Sequence, residues 1–170
     1  MATLEISDDC LFPERFIYLT YSGPDPWEVV EKISDSIKGF FHVSTSGTNN
    51  DRLNWDISGS KTTFFSSWWV RKKVTGTSDI LVIIKAQGEK SKTDNTGQFR
   101  LELSADLRTS FNGPRIILKP AWLTYSYLFY NKVRQRQLER CRDLLYNFRN
   151  LIKEHYNLNS LSLVAAEAAL

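Results

Sequence analysis

Across residues 98–111 apolar and polar side chains alternate almost without a break, and no other feature of the chain restricts its fold as tightly. Phe99, Leu101, Leu103, Ala105, Leu107 and Phe111 fall on one side, and Arg100, Glu102, Asp106 and Arg108 on the other. Successive side chains of a strand point to opposite faces, so this segment is a long strand with one buried and one solvated face. Strands patterned this way belong to antiparallel sheets, whose outer face meets water.

The same period of two runs through most of residues 40–119. Residues 40–44 read as a strand and 47–51 as a turn segment. Leu53, Trp55 and Ile57 then alternate with Asn54, Asp56 and Ser58, and 58–60 turns the chain back. Residues 62–74 form a long strand with Phe64, Trp68, Val70 and Val74 on one face and Phe65, Trp69, Arg71 and Lys73 on the other. After a turn at 76–79, the nearly all-apolar run 80–86 suits a central strand buried on both faces. The polar segment 88–97 reads as an exposed loop. Asn112, Gly113 and Pro114 turn the chain into a last short strand at 115–118.

Helical spacing frames this block. Upstream, residues 1–13 read as an irregular lead-in and 15–22, rich in aromatic and β-branched residues, as a first strand. Asp25 then suits an N-cap, Pro26 the first helical position and Gly39 the position past the end of a helix over 26–38, with Trp27, Val30, Ile33 and Ile37 on one face. Downstream, no Gly or Pro interrupts the chain after Pro120 until beyond Tyr156. One helix there would span roughly 50 Å. Its later half carries a stripe of Leu138, Cys141, Leu145, Phe148 and Ile152. The expected architecture is a single α+β domain over residues 1–157: an antiparallel sheet of about six strands, in the order β-α-β(4–6)-α, with the long C-terminal helix packed across it. Residues 158–170 form a flexible or helical tail.

This order of elements, strand 15–22, helix 26–38, the strands between 40 and 118 and the helix after Pro120, resembles the helix-grip fold of the START and Bet v 1-like (SRPBCC) superfamily. The TATA-binding-protein fold has a similar order. The helix-grip resemblance implies a lipid or other hydrophobic or amphipathic small molecule held between the curved sheet and the long helix. Some members of that superfamily are enzymes, such as cyclases.

Tyr18, Trp55, Trp68, Phe99, Leu101, Leu103, Leu145 and Phe148 are the candidates for lining such a cavity, and the same residues would equally fill a solid core. A second candidate region is the helix over 120–142. Trp122, Tyr125 and Phe129 are followed there by Lys132, Arg134 and Arg136, a pairing of aromatics and cations that suits a membrane surface or a protein partner. Trp69, Arg71, Lys72 and Lys73 form a smaller basic-aromatic group of the kind that can stack single-stranded nucleic acid. A cyclase- or hydratase-like enzyme would draw on His42 or Tyr18.

Other chemistry finds little footing. His42, His155, Cys10 and Cys141 show no metal-ligand spacing, and no cofactor is expected. No P-loop, G-x-S-x-G or G-x-G-x-x-G occurs. A net charge of +3 leaves any basic surface local. Two isolated cysteines fit a reducing compartment. Residues 1–13 lack the basic and apolar regions of a signal peptide. The longest uncharged apolar stretch, 120–130, is about half the ~20 residues of a membrane span. A cytoplasmic protein, with peripheral membrane contact as an option, is the expectation.

Overall fold

The computed structural model describes residues 2–113, 120, 124 and 131–158, with the backbone alone at 2–4 and 111–113. The fold is α+β. Among the described residues the strands are β1 (Ala2–Asp9), β2 (Ile17–Pro24), β3 (Thr48–Asp56), β4 (Lys61–Lys73), β5 (Ser78–Ser91) and β6 (Thr96–Gly113). The helices are α1 (Glu28–Phe41) and α2 (Asn131–His155). All six strands form one antiparallel sheet in the order β1-β6-β5-β4-β3, and β2 also pairs with β6. Strand β6 is long enough to hold two partners end to end on one edge, β2 against residues 96–103 and β1 against 106–113.

Alternation decides which side chains enter the core. Phe64, Trp68 and Val70 of β4, Ile80, Val82, Ile84 and Ala86 of β5, and Phe99, Leu101, Leu103, Ala105 and Leu107 of β6 are all buried. They meet Val29, Val30, Ile33, Ile37 and Phe41 of α1 and Cys141, Leu145, Phe148 and Ile152 of α2 in one continuous cluster. The apolar stripe read along the second helix is thus its buried face. Phe41 and Phe148 touch with ring centroids 5.1 Å apart, joining the two helices over the sheet.

Several local expectations are corrected. The lead-in is a strand, because β1 finds the C-terminal half of β6; Ile6 stands opposite Thr109 and Asp8 opposite Leu107. Helix α1 starts and ends later than its cap residues suggest. Asp25 sits outside the helix at φ 43°, with its backbone N–H donated to Asn95 and its carboxylate paired with Lys90 at 2.8 Å. The helix passes through Gly39 and closes at His42, which takes the left-handed conformation at φ 52°. Residues 40 and 41 are therefore helical rather than a strand, and Lys72 Nζ caps the helix end by donating to the Phe41 carbonyl at 2.6 Å. The run 80–86 is deeply buried on one face only, since Leu81, Ile83 and Lys85 keep partial exposure. The expected loop at 88–97 shrinks to residues 92–95, as β5 and β6 extend into a long hairpin.

Trp55, a candidate for lining a cavity, is 47% exposed, and Leu53 and Ile57, which alternate with it, are 55% and 61% exposed, because β3 is the edge strand. Cys10 and Cys141 are not isolated thiols. They form a disulfide, with Cα atoms 5.8 Å apart, that ties the end of β1 to the middle of α2. The expected strand at 115–118, the aromatic segment 122–123 and 125–130, and the tail beyond Leu158 lie outside the described residues.

Candidate functional site

Strand register arranges the outward side chains of the sheet in rows. Thr20 stands opposite Arg100, Arg100 opposite Gln87, Gln87 opposite Phe65, and Phe65 opposite Asn54. This row crosses five strands and forms one side of a trough of about 890 Å³, with the parallel row of Ser22, Gln98, Glu89, Thr63 and Asp56 on the other. Most of its lining side chains belong to the face turned away from α1 and α2, and no residue of those two helices lines it. Its size falls within the range of small-molecule sites, roughly 300–1,000 Å³. Strand β5 crosses its floor at Gly88. A Cβ there would lie 2.6 Å from Cζ of Phe64, so the bare backbone lets that ring close the inner side of the sheet beneath the trough.

The charges around the trough are mostly satisfied. Lys61 donates to Glu89 at 2.7 Å, and this bond holds the Glu89 carboxyl below its ordinary range. Asp56 accepts from the backbone N–H of Ser58 at 2.9 Å and from its hydroxyl at 2.7 Å; the backbone bond is the larger cause of its lowered pKa. Lys85 pairs with Glu102 at 2.8 Å. Arg100 differs. Its guanidinium carbon lies 4.0 Å over the Tyr18 ring, and it forms no ion pair among the described residues. Stacking on an aromatic face orients a guanidinium while leaving its N–H edge open to an acceptor. Chemically, the row offers an oriented cation, an amide and a hydroxyl beside an aromatic ring.

The structure divides the residues singled out from sequence. Trp68, Phe99, Leu101, Leu103, Leu145 and Phe148 come together in the core and are at most 3% exposed. Tyr18 lies on the opposite face of the sheet, and Trp55 stands at the edge of the helix side with its ring 4.2 Å from that of Trp27. Lys132 and Arg136 are exposed on α2, whereas Arg134 is bound to Asp8, and Arg142 donates to the carbonyls of Cys10 and Phe12. Trp122, Tyr125 and Phe129 lie outside the described residues. Arg71 is engaged by Asp79 through two hydrogen bonds, at 2.8 and 3.2 Å. His42 caps a helix and His155 contacts Glu28 at 2.9 Å. No cluster of three metal-ligating side chains occurs among the described residues.

From sequence, Arg100 turns outward and Phe65 shares a face with Trp69, but neither was singled out as a site residue, and Thr20 and Gln87 were given no face. Alternation along their strands puts all four on the outer face. The missing signal was register, since which outward residues become neighbours depends on how the strands are paired.

No family model matches the chain, and no curated protein matches it in sequence. Among solved structures it is similar to a protein of unknown function from Staphylococcus aureus, at 12% identity over 88% of this chain and 97% of that one, with a TM-score of 0.27. A second, an uncharacterized protein from Rhizobium leguminosarum, is 5% identical over 83% of this chain and 97% of its own, with a TM-score of 0.19. Superpositions this loose carry no weight for function. Among the described residues no helix is long and apolar enough to cross a membrane.

Proposed function

We propose that the chain is a binding domain of helix-grip type whose ligand is an amphipathic small molecule with an anionic group, bound in the trough on the face turned away from α1 and α2. Arg100 is the observation that carries this reading. It is held over Tyr18, lacks a carboxylate partner among the described residues, and sits between Thr20 and Gln87 in a concavity of about 890 Å³. An anion there would accept from the guanidinium, with the Gln87 amide in reach, and the apolar part of the ligand would lie along Phe65. The helix-grip resemblance implies an interior ligand. The trough is favoured over that location because Trp68, Phe99, Leu101, Leu103, Leu145 and Phe148, the residues that would line an interior site, belong to one packed core cluster and are at most 3% exposed.

A matched pair of fluorescent probes tests the reading. Anilinonaphthalene sulfonate and phenylnaphthylamine share a ring system and differ in the anion. The sulfonate should bind about tenfold or more tighter, the worth of one charge-assisted hydrogen bond. Arg100→Gln should remove that preference and leave the neutral probe unchanged, while Phe65→Asp should weaken both. Absence of binding by either probe overturns the reading. Equal binding of the two probes overturns the role of Arg100.

A further inference from the structure

Strand β3 is an open edge. It ends the order β1-β6-β5-β4-β3, it is exposed from Asn49 to Asp56, and no described residue pairs with its free side. Protein edges of this kind are usually guarded by Lys or Pro against pairing with another chain. Strand β3, Thr-Asn-Asn-Asp-Arg-Leu-Asn-Trp-Asp, contains neither; its one irregularity is a register shift between Asn50 and Arg52, and residues 52–56 beyond it run in regular register with β4. It also presents Leu53 and Trp55 at 55% and 47% exposure.

We infer that β3 is the dimer interface of this protein, pairing antiparallel with β3 of a second copy and continuing the sheet across a two-fold axis. The argument is one of register. A two-fold axis normal to the sheet keeps the helix-covered faces on one side, so only residues of the same face can stand opposite each other. Leu53 and Trp55 face the helix side, and Arg52, Asn54 and Asp56 the outer side, as their β4 partners fix. Centred on Asn54, the pairing sets Arg52 opposite Asp56 of the second copy and Asp56 opposite its Arg52. Leu53 and Trp55 then face each other twice. Centring on Arg52 stacks that charge on itself, and centring on Leu53 or Trp55 sets Asn54 against one charge and brings no opposite charges together. One register alone matches both charge and apolar surface, and cross-strand pairs of these two kinds are what stabilise a ladder.

This inference is independent of the ligand reading, but the two surfaces meet. Asn54 and Asp56 line the trough, so the second copy would extend its wall with its own Arg52 and Asn54.

Sedimentation velocity of the full chain, from about 10 to about 500 µM, covers the affinities expected of a five-residue ladder. The wild type should be a reversible dimer. Arg52→Asp and Asp56→Lys should each be monomeric, since each sets like charges opposite one another twice. Mixed in equal amounts, the two variants should form a heterodimer, in which both pairs are again opposite in sign. A monomeric wild type, a dimer retained in both single variants, or a mixture that stays monomeric overturns the inference. If Asp56→Lys unsettles the turn that Asp56 makes with Ser58, Arg52→Asp alone decides: a dimer as tight as that of the wild type overturns the inference.

Discussion

Reduction of the Cys10–Cys141 disulfide should cost this protein a large part of its stability. The bridge closes a loop with a sequence separation of 131. Loop-closure entropy for a cross-link of that span is about 5 kcal/mol at room temperature, lost from the unfolded ensemble when the bond is made. Domains of ordinary stability hold only about 5–15 kcal/mol in total. The junction also has non-covalent support, from the Arg134–Asp8 ion pair and from Arg142, which donates to the Cys10 and Phe12 carbonyls. The reduced protein should therefore still fold, but with a much lower urea midpoint. Taking a denaturant slope of about 2 kcal/mol per molar, the midpoint should fall by about 2.5 M. Tryptophan fluorescence reports the transition, and comparing the wild type with and without reductant isolates the cross-link from side-chain packing. Cys10→Ala/Cys141→Ala should fall further, since both residues are fully buried and their contacts are lost as well. A midpoint that moves by less than about 0.5 M on reduction, at unchanged slope, would refute the loop-closure argument.

Three other changes can be read in the same assay. Gly88→Ala drives a methyl group toward the Phe64 ring and the Gln98 carbonyl and should destabilise by about 1–3 kcal/mol. Phe148→Ala opens the junction of Phe40, Phe41 and α2 and should cost about 3–5 kcal/mol. Tyr156 has a buried hydroxyl with no hydrogen-bond partner among the described residues, and burial first, then Glu28, raises its pKa above the ordinary 10.0. Stability linked to the neutral phenol is present below pH 10.0 and drains as pH rises toward the folded-state value, so Tyr156→Phe, which removes a partnerless buried hydroxyl, should be at least as stable as the wild type at neutral pH and keep its urea midpoint above pH 10.0, where the wild type loses it.

The parts of the fold visible in sequence are those governed by short-range periodicity. The alternation of β4 and β6 and the helical stripe from Cys141 to Ile152 each state a buried face without reference to the rest of the chain. Features that depend on distant partners were hidden. Strand β1 is short and carries Glu5, Asp8 and Asp9, and it becomes a strand because β6 extends far enough to receive it. Asp25 has the chemistry of a helix cap, but its carboxylate is drawn to Lys90, from the far end of the β5–β6 hairpin. Trp55 alternates like a core residue, yet stays 47% exposed because it stands on the edge strand, where only Trp27 covers it in part. The trough shows the same divide: alternation alone turns Arg100 outward, and only the pairing of β2, β5 and β6 sets it between Thr20 and Gln87.

The bridge between Cys10 and α2 also changes what a cut in the chain would mean. Residues 12–15, which follow it, are exposed and belong to no strand or helix, the usual setting for a protease. Cleavage after Arg15 would sever the backbone without releasing anything. Residues 2–15 would remain tethered through Cys10 to Cys141, with β1 still laddered on β6 and Asp8 still held by Arg134. The product would be a two-chain protein with an intact sheet and a new, free amino terminus at Phe16, and its two pieces would part only when the disulfide was reduced.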